Sequence, residues 1–190
     1  MDSAPVTTEG FLNPDVVVGE FGITPGMKIA DFGCGAGHIG IIVAQKTGAD
    51  GLVTALDIME DKLESFQSRV KALGLENVQT KRVNLEVLGS TGLTDGSQDI
   101  VLLVNILFQS TKKLDILKEA KRVLKSGGSA IVVDWKKASM PGGTPAGGVG
   151  PPDSLRTHDK EMQTIFTQEG FVFQRALNAG QFHYGMIFQK

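Results

Sequence analysis

From residue 28 onward the chain alternates short apolar runs with longer segments of helical periodicity. "KIADFG" (28–33) reads as a buried strand, and "HIGIIVAQKTG" (38–48) as a helix stopped by Gly48. "LVTALDI" (52–58) is a second strand, followed by a helix over 60–74 with Leu63, Phe66, Val70 and Leu73 on one stripe. "VQTKRVN" (78–84) alternates like a third strand, and "DIVLLVN" (99–105) follows the turn "GLTDGSQ". The helix "TKKLDILKEAKRVLKSGG" is expected to end at Gly127, ahead of the strand "SAIVVDW" (129–135). Strands linked by helical crossovers run parallel, so the pattern predicts a doubly wound α/β sheet.

The two ends depart from this rhythm. Asn13 as N-cap and Pro14 at the first helical position predict a short helix in "FLNPDVVVGEFG", with Leu12 and Val17 as a hydrophobic staple. "ASMPGGTPAGGVGPPDS" (138–154) has no periodicity and predicts a long Gly/Pro-rich loop, read as a lid or a linker. "LRTHDKEMQTIFTQEG" then reads as a helix, and "FVFQRAL" and "QFHYGMIFQ" as an antiparallel hairpin on the sheet edge. With 190 residues and no internal repeat, 1–190 is expected to form one domain, with 1–25 an N-terminal arm and helix.

The loop after the first strand, "DFGCGAGHIG" (31–40), fits the dinucleotide fingerprint at Gly35, Gly37 and Gly40. It also fits a shifted pattern of Asp31, Gly33, Gly35 and Gly37. Glycines between a strand and a helix let a ligand approach bare backbone at a helix N-terminus. Asp31 discriminates among such ligands. A carboxylate at the strand end repels a pyrophosphate and suits a cation, and no Lys or Arg lies between Asp31 and Gln45. The charge pattern favours S-adenosylmethionine, which carries an ammonium and a sulfonium.

Asp57, ending the second strand, can accept two hydrogen bonds from a ribose diol, or can merely cap the next helix. Ile58 and Met59 are placed to pack on an adenine face. Asn84 is placed at its edge with Leu85 beside it, and Asn105 ends the fourth strand where open α/β sheets bind ligands.

Together "DFGCGAG", "ALDI", "SQDIVLLVNILFQ" and "EAKRVLKSGGSAIVVDW" resemble the class I S-adenosylmethionine-dependent methyltransferases, over about residues 26–136. Ser126 stands where proline is common in that family, and Asn84 where many members have aspartate. The resemblance implies a Rossmann-like, seven-stranded sheet with an antiparallel last strand, and S-adenosylmethionine as cofactor. The set Asp31, Gly33, Gly35, Gly37, Asp57, Ile58, Asn84, Leu85 and Asn105 is then expected to hold it.

Other residues carry plainer readings. Cys34 is a small filler, since nothing nearby would lower its pKa. Gln109 divides evenly between site and surface, and Phe11 between covering the cofactor and packing on the sheet. One of Asp134 and Trp135 should face the acceptor by strand alternation. His38, His158, His183 and Tyr184 read individually as structural or exposed, and three widely spaced histidines give no metal set.

A net charge of -2 leaves no electrostatic footprint for nucleic acid or an anionic membrane. No apolar run is long enough to span a bilayer and the start lacks a signal-peptide pattern, so a cytoplasmic protein is expected. No Asn/Asp-Pro-Pro-Tyr follows the fourth strand; "NILFQ" stands there, which disfavours amino-group methylation of nucleobases or glutamine. A single cysteine disfavours thiol-assisted arsenic methylation. The expected activity is methyl transfer to a small molecule. The rivals are a protein or RNA methyltransferase, an NAD-dependent reductase and a non-catalytic cofactor-binding protein.

Overall fold

Asn13 caps the first helix as its sequence predicts. Its side-chain oxygen accepts from the backbone N–H groups of Asp15 and Val16, and α1 runs Pro14–Gly19. Leu12 packs with Val17 in one apolar cluster, as a staple requires. The computed structural model describes residues 12–137 and 149–190, so Phe11, the arm before it and most of the Gly/Pro-rich segment lie outside the described residues.

The alternation resolves as β1 (Lys28–Phe32), α2 (His38–Thr47), β2 (Leu52–Asp57), α3 (Glu60–Ala72), β3 (Val78–Arg82) and β4 (Gln98–Val104). It continues as α4 (Lys113–Val123), β5 (Leu124–Trp135), α5 (Asp159–Gln168), β6 (Val172–Leu177) and β7 (His183–Gln189). The sheet has seven strands in the order β3-β2-β1-β4-β5-β7-β6. The pairs from β3 through β5 are parallel, and β7 is antiparallel to both β5 and β6. This is the Rossmann-like, doubly wound architecture expected, with the predicted hairpin on the edge.

Residue parity sorts the core into two layers. Ile29, Val53, Ile100, Leu102, Ile131 and Val133 pack toward α1 and α2, while Phe66 of α3 packs beside them on Ala55. Phe32, Leu56, Val101, Leu103, Val132 and Phe188 point the other way, onto α4 and α5. With both faces covered, β4 is buried on consecutive residues from Ile100 to Leu103. The chain crosses to β2 on one side of β1 and reaches β4 on the other. The β1–β4 boundary is therefore the switch point, where a crevice opens beyond the strand ends.

Three boundaries differ from the sequence reading. Leu73 is 53% exposed rather than on the buried stripe of α3, because the helix has already ended there. Gly74, at φ 63°, turns the chain, and the N–H of Leu75 bonds the Val70 carbonyl while that of Gly74 bonds Lys71. Leu75 takes the apolar contact instead. Helix α4 stops at Val123, not Gly127. Leu124 is already extended and buried, and the pairing with β4 is irregular between Gln98 and Ile100. Helix α5 begins at Asp159 rather than Leu155, preceded by a one-turn 3-10 helix over Asp153–Leu155 that straddles the end of the expected loop.

Candidate cofactor and acceptor site

A cavity of about 540 Å³ opens over the C-terminal ends of β1, β2 and β4. Asp31, Gly33, Gly35, Asp57, Ile58 and Asn105 line it, all named from the sequence. Asn84 and Leu85 line an adjoining cavity of about 220 Å³ that shares Gly33, Asp57, Ile58, Ile106 and Gln109 with the first. Eight of the nine residues are thereby brought together.

Gly37 is the exception. It lines neither cavity; it is the left-handed N-cap of α2, and a Cβ built on it would lie 2.4 Å from the Phe66 ring. Its lack of a side chain lets α2 approach α3. Gly33 serves a similar purpose toward Ile106, whose Cδ1 would be 2.5 Å from an added Cβ. Gly35 differs: at φ 52°, an added Cβ would meet no protein atom within 4 Å. Gly35 itself lines the larger cavity.

The carboxylates occupy contrasting environments. Asp57 is pinned at both oxygens: Oδ2 accepts from the Gly35 N–H at 2.9 Å and Oδ1 from the Met59 N–H at 3.0 Å. The helix-cap reading and the ligand reading are not exclusive, because each oxygen keeps a free lone pair. Asp31 is 2% exposed, and its Oδ2 has no hydrogen-bond partner. Burial first, and then the nearby charge of Asp57, push the Asp31 carboxyl up to about 7. An unpaired acid of this kind is costly to bury.

Asn105 is the second unfinished group. At φ 54° it is the one non-glycine residue with positive φ among the described residues, and its buried Oδ1 is also unpartnered. The Gln109 side chain fixes the Asn105 backbone by donating to its carbonyl at 2.8 Å. Ile58 and Met59 are about half exposed, which offers apolar surface to a flat ring. Asn84 lies two residues past β3; its Oδ1 caps the Glu86 N–H at 3.0 Å, leaving its amide N–H groups available.

Several contacts escape a reading of the sequence. Leu12, just before α1, and Pro14, its first residue, wall the cavity, where the only signal was the neighbouring Phe11. The absence of cations along 31–45 does not hold in space: α3 brings Lys62 to the cavity and the Arg69 guanidinium to the Ala36 carbonyl at 2.9 Å. Cys34 is a filler, its thiol pushed up by burial and then by Asp31 and Asp57. Among the described residues no cluster of His, Cys, Asp or Glu is arranged to hold a metal.

At the end of β5, Asp134 is 1% exposed and its Oδ2 accepts the Phe108 N–H at 3.0 Å. Burial pushes its carboxyl up to about 6 despite that bond. Trp135 lies with its ring centroid 4.0 Å from that of His183, and the Arg156 guanidinium sits 5.3 Å over the indole. His38 is exposed in the first turn of α2, and His158 is exposed as the N-cap of α5.

Residues 23–171 match the family model described as a methyltransferase domain. The chain belongs to this family, and within it to the S-adenosylmethionine-dependent class. It is 31% identical over 120 residues to the demethylmenaquinone methyltransferase of Listeria welshimeri, across 63% of this chain and 50% of that one. It is 31% identical over 113 residues to the arsenite methyltransferase of Aquipseudomonas alcaligenes, across 57% and 33%. The chain thus spans about half, or less, of the length of these curated relatives. A solved S-adenosylmethionine-dependent methyltransferase from Aquifex aeolicus superimposes with a TM-score of 0.82 and 26% identity, covering 95% of this chain and 90% of that one. Among the described residues no helix is long and apolar enough to cross a membrane.

Proposed function

We propose that this protein transfers the methyl group of S-adenosylmethionine to a small-molecule acceptor. The observation that carries the reading is the buried, unpartnered carboxylate oxygen of Asp31 beside the glycine loop. A cationic ligand completes it; a pyrophosphate does not. The residues present fit the cofactor. Asp31 meets its ammonium, Gly33 and Gly35 admit it to the backbone, and the remaining lone pairs of Asp57 hold the ribose diol. Ile58 and Leu85 enclose the adenine with Asn84 at its edge, and Asn105 adds a free acceptor across the cavity. Gly37 contributes by packing alone.

Bound S-adenosylmethionine supplies a methyl group already activated by its sulfonium. What remains for the chain is to hold the acceptor in line with that methyl and to keep water out, and positioning of this kind is worth several kcal/mol. The names of the relatives support a small acceptor, and the charge of -2 supports no polyanion. Arsenite fits poorly. Trivalent arsenic takes soft thiolate ligands, whereas this chain has one cysteine, buried and held as the thiol.

Incubation with S-adenosylmethionine carrying an isotopically labelled methyl group tests the proposal. The protein is offered a panel of phenols, quinols and small amines in one arm, and total protein or RNA in the other. Label is expected in a small-molecule product. Label only in protein or RNA would overturn the small-molecule reading.

A further inference from the structure

Glu86 has no part in the cofactor contacts assigned above, yet it lines the cavity of about 220 Å³ beside the glycine loop. Val83, Leu85, Ile106 and Ile116 supply the apolar wall of that cavity, and Asp57 and Glu86 are its charged lining residues. Asp57 is shared with the larger cavity, whereas Glu86 and Ser110 line the smaller one alone. The Ser110 hydroxyl donates to Glu86 Oε1 at 2.7 Å, which sets the carboxylate on the wall that both residues form.

Glu86 is held at both its backbone and its carboxylate. Asn84 Oδ1 accepts the Glu86 N–H at 3.0 Å, and the Asn84 carbonyl accepts the following N–H, of Val87, at 3.1 Å. Ser110 is fixed in its turn, because its Oγ accepts the Lys112 N–H at 2.9 Å. Lys112 Nζ lies 3.6 Å from Glu86 Oε2. The two side chains are 31% and 60% exposed, so this ion pair restricts the carboxylate more than it stabilises the fold. Beyond the Ser110 bond, the carboxylate keeps lone pairs for a further donor.

Adenine offers both kinds of hydrogen-bonding group along its edge, a 6-amino donor and ring-nitrogen acceptors. Asn84 suits the second kind: its oxygen is engaged by the Glu86 N–H, and its amide N–H groups are left to donate. The amine needs an acceptor instead. Gln109, which lines both cavities, is tied through its amide nitrogen to the Asn105 carbonyl. The Glu86 carboxylate supplies an acceptor on the wall of the smaller cavity, two residues beyond Asn84. We propose that Glu86 accepts a hydrogen bond from the 6-amino group of the cofactor's adenine and so makes the site selective for that base. The inference rests on the S-adenosylmethionine reading above.

Calorimetry on the full chain compares adenosylhomocysteine with its 6-deamino analogue, in which purine replaces adenine and only the amine is missing. The parent is expected to bind adenosylhomocysteine more tightly than the analogue by about tenfold or more. In Glu86→Ala that ratio should fall to about twofold or less, because the amine loses its acceptor. A merely structural role for Glu86 would weaken both ligands together and leave the ratio intact. Glu86→Gln keeps the size of the side chain but not its charge, and should lower the ratio by about threefold. It keeps the test valid if Glu86→Ala fails to fold. A parent that binds both ligands equally, or the parent's ratio preserved in the Glu86 variants, would overturn the role of Glu86 alone. Failure of the parent to bind adenosylhomocysteine at all would instead overturn the cofactor reading on which that role rests.

Discussion

Asp57 Oδ2, at the end of β2, accepts a hydrogen bond from the Gly35 N–H at 2.9 Å and so ties the glycine loop to the neighbouring strand. The same carboxylate is proposed to hold the cofactor ribose, so one substitution should be felt twice. Asp57→Ala strips two backbone N–H groups of their acceptor, at a cost of about 1–2 kcal/mol in stability. It should also weaken adenosylhomocysteine binding at least tenfold, about 1.4 kcal/mol. Urea unfolding and calorimetry on the same preparation read both effects. A destabilised variant with unchanged affinity would assign Asp57 to the loop alone.

Gly35 and Gly37 should behave oppositely. Gly37→Ala places a Cβ 2.4 Å from the Phe66 ring at φ 81°, and steric overlap joined to backbone strain should cost about 3 kcal/mol or more. Gly35→Ala meets no protein atom and should lose only the left-handed backbone term, about 1–2 kcal/mol. Gly35 lines the proposed cofactor cavity, however, so a methyl group there is expected to disturb binding. Thermal melts should therefore single out Gly37→Ala, and cofactor titrations Gly35→Ala.

The Asp31 carboxyl gives a signed pH dependence. Its folded value is raised from 3.8 to about 7, so between those limits the folded cofactor-free chain binds more protons than the unfolded one. This group's contribution to stability is full below pH 3.8 and is lost as pH rises through about 7. A cationic ligand prefers the ionised acid, so its affinity should move the other way. Adenosylhomocysteine should bind about tenfold more tightly at pH 7.5 than at 5.5. Calorimetry across that range should show the trend flattened in Asp31→Asn. A parent profile with no such rise would separate Asp31 from the ligand.

Arg156 is 4% exposed, and its guanidinium donates to the carbonyls of Pro151, Lys136 and Val149. It pins the described end of the Gly/Pro-rich segment to the end of β5. Arg156→Ala leaves these carbonyls without their donor and should cost about 3 kcal/mol, or about 6–12 °C in Tm for a chain of this size. A melting curve within 2 °C of the parent would show that solvent replaces all of these bonds.

The layers, the crossovers and the residues lining the cavities at the strand ends were legible because each is carried by local pattern. Apolar periodicity separates strand from helix, and the strand ends in chain order bring Asp31, Asp57, Asn84 and Asn105 to the two adjoining cavities. Helix ends were less legible: Leu73 fits the stripe of α3 by spacing alone, but the stripe stops where Gly74 turns the chain. The positive φ of Asn105 has no sequence signal. The pairing of His183 with Trp135 depends on the register of β7 against β5, which separate segments of sequence cannot fix. Read singly, His183 and Tyr184 are ordinary residues of a final strand; that their side-chain polar atoms are buried and unpaired shows only in the fold. Arg69 reaches the loop and Lys62 the cavity from a different helix, so a window around the glycines misses them.

Calorimetric titration of the parent protein with adenosylhomocysteine and with NAD, at pH 7.5 and equal ionic strength, tests the central claim most directly. The buried, unpartnered Asp31 beside the glycine loop predicts one-to-one binding of adenosylhomocysteine and an NAD affinity at least a hundredfold weaker, about 2.7 kcal/mol. NAD binding as tightly as adenosylhomocysteine would contradict it.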